Sequence, residues 1–256
     1  MDSFDFDVDF GLENKVALIT GAGRGIGKSI ANLFARKGAD LILVGKSTNV
    51  IDTAKEIREM EKNCISLVFD ITITENINKI IKTAIKEFNR IDILVNNAGI
   101  IYTDEATVMP KENWDKTIAL NLTAPFLLSQ PVGKEMIKRK YGRIINIASL
   151  AGVLGYDKRA AYCSSKAGLI GLTKALAFEW AKYKINVNSI SPTVTMTEMA
   201  KIAWGGKKGE EMKNRIPLGR FIYPEEVSAV AAFLASDAAK MITGANIIID
   251  GGYSIN

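Results

Sequence analysis

No histidine occurs anywhere in the sequence. That single absence excludes Ser-His-Asp and Cys-His triads, imidazole acid–base chemistry, and almost every zinc or non-haem iron catalytic site. Cysteine is scarce as well. Cys64 and Cys163 are the only two, too few for a metal cluster, so no metal is expected. A disulfide between them is not expected in a reducing compartment, and Cys163 reads as a small packing residue. No apolar run approaches the ~20 residues of a membrane span. The stretch from Met1 to Phe10 is acidic and aromatic with no basic region, which does not read as a secretory signal. A cytoplasmic protein with no membrane partner is the expectation. Any catalysis has to rest on Tyr, Lys, Ser, Asn or carboxylates.

What is present points to a globular enzyme. Apolar residues make up 48% of the 256 positions, enough for a sizeable core. The net charge of +5 invites a nucleic-acid reading. Yet the cations are scattered among acidic residues, and the densest spots, Lys138-Arg139-Lys140 and Lys207-Lys208, read as solvated faces, so no nucleic-acid partner is expected. From about residue 15 onward, short apolar runs alternate with helix-length segments. The strand candidates are Val16–Thr20, Leu41–Val44, Ser66–Phe69, Ile93–Asn96, Ile144–Ala148, Asn186–Ile190 and Ile247–Ile249. Ile26–Lys37, Thr74–Phe88 and Ala161–Tyr183 carry helical spacing, and Pro224-Glu225-Glu226 reads as a helix start. This alternation predicts the α/β class: one doubly wound, Rossmann-type domain over residues 1–256, with a seven-stranded parallel sheet flanked by helices. Residues 1–14 form an N-terminal extension in this reading. A segment of about 195–215, holding Trp204-Gly205-Gly206, interrupts the alternation where a substrate lid would be inserted.

Five groups of residues carry chemistry. The first strand runs into Thr20-Gly21-Ala22-Gly23-Arg24-Gly25-Ile26-Gly27, a glycine-rich turn opening a helix, where backbone N–H groups can approach a pyrophosphate. The second strand ends Val44-Gly45-Lys46-Ser47 without the carboxylate that would hold a ribose 2′-OH. Lys46 and Arg24 can instead face a 2′-phosphate, so NADP(H) is expected ahead of NAD(H). Tyr162 and Lys166 stand four residues apart at a helix start, so the ammonium lies one turn beyond the phenol. A phenol titrates near ~10, and bringing it to about 7 needs about 4 kcal/mol from nearby positive charge. Ser149 and Asn96-Asn97-Ala98-Gly99 end the fifth and fourth strands, on the rim where such sheets hold ligands. Asn121 is an amide within an apolar helical stretch and needs partners there.

On Thr20-Gly21 with Gly25 and Gly27, Asp70, Asn97-Ala98-Gly99, Asn121, Ser149, Tyr162 and Lys166, the sequence resembles the short-chain dehydrogenases/reductases from Lys15 to Tyr253. The resemblance implies that Tyr162 exchanges the proton of the reacting oxygen, Ser149 holds that oxygen, and Lys166 binds the nicotinamide ribose and lowers the Tyr162 pKa. It implies that Asn121 positions a water leading from Lys166 to solvent, that Asp70 and Ile71 contact the adenine, and that Asn97, Ala98 and Gly99 line the cofactor cleft. Pro192, Thr195 and Thr197 fall where the family meets the nicotinamide carboxamide. Thr193 stands where many members have glycine, which puts the local backbone path in question. Phe4-Asp5-Phe6-Asp7, Ala203-Trp204-Gly205 and the ending Ile249-Asp250-Gly251-Gly252-Tyr253 resemble the polyol branch, acting on small diols and sugar alcohols. A 3-oxoacyl-carrier-protein reductase and a gluconate-type dehydrogenase are the alternatives. Met196, Met199 and Trp204 are expected to shape the substrate pocket. A homotetramer of two-fold symmetry is also implied.

Overall fold

The computed structural model describes residues 10–255, apart from the side chain of Met199; Phe4-Asp5-Phe6-Asp7 lies outside the described residues. Seven strands form one parallel sheet: β1 Val16–Thr20, β2 Asp40–Gly45, β3 Cys64–Val68, β4 Ile93–Asn96, β5 Gly142–Ile147, β6 Ile185–Pro192 and β7 Asn246–Ile249. The spatial order is β3-β2-β1-β4-β5-β6-β7, with every neighbouring pair parallel. This is the expected doubly wound architecture.

The strands are apolar throughout because both faces are covered. All five residues of β1 are buried. Alternate side chains feed opposite cores, Ala17 and Ile19 into one and Val16 and Leu18 into the other. The first core is roofed by α1 (Gly25–Arg36), α2 (Asn49–Arg58) and α9 (Pro224–Ala235). Phe34 of α1 is fully buried there, and truncating it to Ala is expected to cost about 3–5 kcal/mol. The second core lies under α3 (Thr74–Phe88), α5 (Ala124–Arg139) and α6 (Ala160–Trp180). A Cβ at Gly133 of α5 would meet the Trp180 ring of α6 at 2.7 Å, so the glycine is what lets the two helices close up.

Boundaries shift where local chemistry differs from the periodicity. The third strand begins at Cys64 rather than Ser66, because Cys64 and Ile65 pair with Leu41 and Ile42. Residues 181–183 leave α6 as a 3₁₀ turn closed by left-handed Lys184. The apolar stretch around Asn121 is a π-helical turn, Ala119–Thr123, between α4 (Lys111–Ile118) and α5. Between β6 and α9 the chain carries two short helices, α7 (Glu198–Ala203) and α8 (Gly206–Asn214). None of residues 192–197 takes a positive φ, so Thr193 is accommodated without backbone strain.

Candidate active site

Strand order reverses between β1 and β4, and a doubly wound sheet opens its crevice beyond the carboxyl ends of such a pair. The turn after β1 passes through Gly21 and Gly25, both at positive φ. Asn97, at the end of β4, clamps this turn: its Nδ2 donates to the carbonyls of Thr20 (2.9 Å) and Gly21 (3.2 Å). The Thr20 hydroxyl accepts in return from the backbone N–H groups of Asn97 and Ala98. A Cβ at Gly27 would run into the Gly21 carbonyl and this amide. The turn is therefore pulled tight by side chains and kept open by the glycines.

Helix α1 begins with Arg24 as its N-cap, with no side-chain cap and no carboxylate in its first turn. Its leading N–H groups at Gly25, Ile26 and Gly27 are left to an outside acceptor, and the positive end of the helix faces it. This donor set fits the pyrophosphate of a dinucleotide. Lys46 extends from the end of β2 to Asp70 at 2.8 Å. Burial raises the Asp70 pKa, but Lys46 and two bonds from Thr72 outweigh it and hold the carboxyl below its usual value. Ile71 is buried in the second core, so only its backbone can meet a ligand.

The second half of the site lies beyond β4, β5 and β6. Ser149 follows β5 and starts a 3₁₀ turn, its Oγ accepting from Ala151 N at 3.1 Å. Tyr162 and Lys166 occupy successive turns of α6, with Nζ 5.7 Å from the phenol ring centroid. Lys166 is buried and donates to the carbonyl of Ile147, the last residue of β5, at 2.7 Å. Burial, with no carboxylate to offset it, pushes its pKa down to about 8. Asn121 is fully buried and spends its amide on three bonds: Oδ1 accepts from Ile100 N, while Nδ2 donates to Ile100 O and Ser165 Oγ. Ser165 donates onward to the Tyr162 carbonyl. Asn121 thus ties the loop after β4 to the start of α6. A Cβ at Gly99 would stand 3.2 Å from Asn121 Oδ1 and 3.6 Å from Lys166 Nζ, so glycine keeps the space between them.

Burial raises the Tyr162 pKa, and the opposing bond from Ser149 and the charge of Arg159 do not overcome it. The Lys166 ammonium donates to the Ile147 carbonyl in this arrangement. Further round the rim, Pro192 ends β6, Thr195 Oγ1 donates to Thr193 O, and Thr197 caps α7 by accepting from Ala200 N. The Thr197 methyl would lie 3.0 Å from a Cβ at Gly25, which brings the segment after β6 against the glycine-rich turn. Met196 and Trp204 pack against Met212, Ile216 and Phe221 in a small apolar cluster, and Met196 also lines the larger of the two clefts below.

Two clefts flank these residues. One of about 580 Å³ reaches Gly25 and Thr197 between α1, α7 and the start of α9. The other, about 360 Å³, is lined by Glu105, Tyr156, Arg159 and Ala160, next to the helix turn that carries Tyr162. Sequence spacing did not single out Tyr156 or Arg159, which lie in the connection between Ser149 and Tyr162. Their position between those two residues was the available signal.

Comparison with known proteins finds relatives over nearly the whole chain. A family model described as enoyl-(acyl-carrier-protein) reductase matches residues 21–254. An NAD-dependent glycerol dehydrogenase of Listeria innocua is 51% identical over 250 residues, covering 98% of either chain. A D-threitol dehydrogenase of Mycolicibacterium smegmatis is 43% identical, covering 97% of this chain and 96% of its own. Among solved structures, a provisionally named NAD(P)-dependent gluconate 5-dehydrogenase from Beutenbergia cavernae, with bound NADP at low occupancy, superposes with a TM-score of 0.92. It is 36% identical, and the match covers 96% of this chain and 99% of that one.

Proposed function

The chain belongs to the short-chain dehydrogenase/reductase family, NAD(P)-dependent oxidoreductases, and on that footing we propose that it interconverts small polyols or 1,2-diols and their hydroxyketones at the crevice beyond β4, β5 and β6. The observation that carries the chemistry is Lys166, a buried cation resting on a neutral carbonyl one helical turn from Tyr162. Among the described residues no ion pair explains it. In a chain without histidine, Tyr162 is the group able to exchange a proton with a substrate oxygen. Ser149 donates to the same oxygen and fixes its direction, and Asn121 with Ser165 holds the helix start that carries Tyr162. The nicotinamide cofactor supplies or accepts the hydride when bound. Burial makes the phenol reluctant to ionise, so positive charge brought beside it must supply the shift. The substrate class rests on the glycerol and threitol dehydrogenases.

Following absorbance at 340 nm with 1,2-propanediol, glycerol and threitol tests the reading. Turnover of a small diol is expected, and Tyr162→Phe should lose about 10²–10⁴-fold of it while still binding cofactor. Activity confined to acetoacetyl thioesters would move the assignment to carrier-protein chemistry. For the cofactor, Arg24 and Lys46 favour NADP, although Lys46 already meets Asp70 and one relative is NAD-dependent. An exposed pair of this kind is worth little, so the expected NADP preference is within about tenfold. A tenfold or larger preference for NAD overturns it.

Residues 195–215 serve as the substrate lid in this reading. The assembly is a homotetramer. Phe178 of α6 is 91% exposed, Phe126 of α5 lies beside solvent, and β7 is an edge strand with Ile248 exposed, faces that further copies would cover. Sedimentation of a monomer at micromolar concentration would refute it. Two unpaired thiols suit the cytoplasm.

A further inference from the structure

The connection between Ser149 and α6 carries a tyrosine that the proton chemistry does not use. Tyr156 is partly buried, with the Arg159 guanidinium 5.3 Å from its ring centroid. Its hydroxyl is within reach of Thr193, and within electrostatic reach of Tyr253 and Cys163. Cys163 and Arg159 are within electrostatic reach of Tyr162 as well, and the cleft that Tyr156 and Arg159 line borders the helix turn carrying Tyr162. Thr193 comes two residues after Ser191 on β6. The neighbouring β5 rises to Ser149 just after Ala148 N bonds Ile190 O at 2.8 Å. Ile147 pairs with Ile190, so Ser149 and Thr193 each lie just past the ends of these neighbouring strands.

The Thr193 hydroxyl is buried and makes no well-formed hydrogen bond. Its contact with Tyr156 is too loose or misaligned to satisfy it. A buried hydroxyl without a partner is costly, and a protein retains such a group where something else completes it. Glycine in its place would leave no hydroxyl, so this is the position where the chain departs from the family's common pattern.

We propose that Tyr156 and Thr193 form a paired-hydroxyl subsite that holds the second hydroxyl of the substrate, on the carbon next to the one that reacts. This rests on the polyol reading above. A vicinal hydroxyl is both donor and acceptor, as are the phenol and the threonine, so one substrate group can satisfy all three. Burial holds the Tyr156 pKa above its usual value, which keeps the phenol a neutral donor at working pH. The Arg159 guanidinium over its ring fixes the ring face. The reacting oxygen is left to Ser149 and Tyr162.

The test compares 1,2-propanediol with 2-butanol, a secondary alcohol of similar size without the neighbouring hydroxyl. In Tyr156→Phe the ratio of kcat/KM for the diol over 2-butanol should fall by about tenfold, chiefly through KM for the diol. Thr193→Val should lower the ratio likewise, and Thr193→Ser should restore it. Equal losses on both substrates, or no change in the ratio, overturn the subsite while leaving the polyol reading intact. A wild-type enzyme that turns over 2-butanol but no diol overturns the polyol reading, and the subsite with it. Melting temperature and cofactor titration of each variant separate a misfolded protein from a changed pocket.

Discussion

Arg143 and Lys166 are equally buried, each 4% exposed, and both lean on β5, the first near its start and the second at its last residue. Arg143 has acceptors for both terminal nitrogens, while its buried Nε has none. Its guanidinium donates to Gly142 O (3.1 Å), Asn186 Oδ1 (2.9 Å) and Asp237 Oδ1 (3.1 Å), and it lies 4.8 Å from the Tyr141 ring centroid. Lys166 has the Ile147 carbonyl and a tyrosine ring at 5.7 Å. Among the described residues no ion pair includes it. The floor of the sheet thus neutralises its buried charge, and the rim leaves its own in deficit. A cation in deficit raises the energy of the folded chain and is ready to stabilise negative charge delivered by a substrate. The difference between the two ends of one strand separates fold from function.

The comparison breaks if Lys166 turns out to be structural. Lys166→Met should lower turnover by about 10²–10⁴-fold, the largest effect expected here, and leave the melting temperature within a few degrees. Removing the ammonium relieves a buried charge, while the Ile147 carbonyl loses its side-chain donor, and the two effects oppose each other. A collapse in melting temperature would show that Lys166 holds the fold. The converse variant, Arg143→Ala, should cost about 2–4 kcal/mol in urea unfolding, because it leaves a cavity and strands the Asn186 amide oxygen. Its turnover per folded molecule should stay at the wild-type level.

A pH series sharpens the same contrast. The folded pKa of Lys166, about 8, lies below the 10.5 of the free side chain, so between these values the unfolded chain binds more protons. Stability contributed at this position therefore rises with pH through that window, by ~2 kcal/mol from pH 8 to 9.5. Cys64, pushed up to about 12 by burial, works in the opposite direction above pH 9. The measurement is thus the difference in unfolding free energy between wild type and Lys166→Met, in which Cys64 cancels. A flat difference would mean that Lys166 is better solvated than its burial implies.

Much of this contrast was legible before any coordinates, and the remainder was not, for definite reasons. Tyr162 and Lys166 are four apart on one helix, and local periodicity determines their alignment. The strands are apolar runs and the first turn is glycine-rich, both local signals. Arg143 has partners 43 and 94 residues away, which no spacing rule reaches. The same holds for Asn97, whose side chain grips the turn after β1 rather than facing the crevice, and for Lys46, which meets Asp70. The π turn at Asn121 depends on an amide that finds Ile100 and Ser165 in space. Nor does spacing give the surroundings of the Tyr162 phenol, whose pKa burial, a property of the whole packed site, raises.

The smallest expected effect tests how the floor balances its cation. The Asp237 side chain is 66% exposed, so water shares the work of compensating Arg143. Asp237→Asn keeps an oxygen acceptor at the same place and removes the charge. If the neutral acceptors Asn186 and Gly142 carry the guanidinium, the loss should stay below about 1 kcal/mol and shrink further in 1 M salt. A loss of several kcal/mol, insensitive to salt, would mean that Arg143 depends on a desolvated ion pair. The floor would then be as exposed to the loss of a single partner as the rim, and the two ends of β5 would differ only in which partner is present.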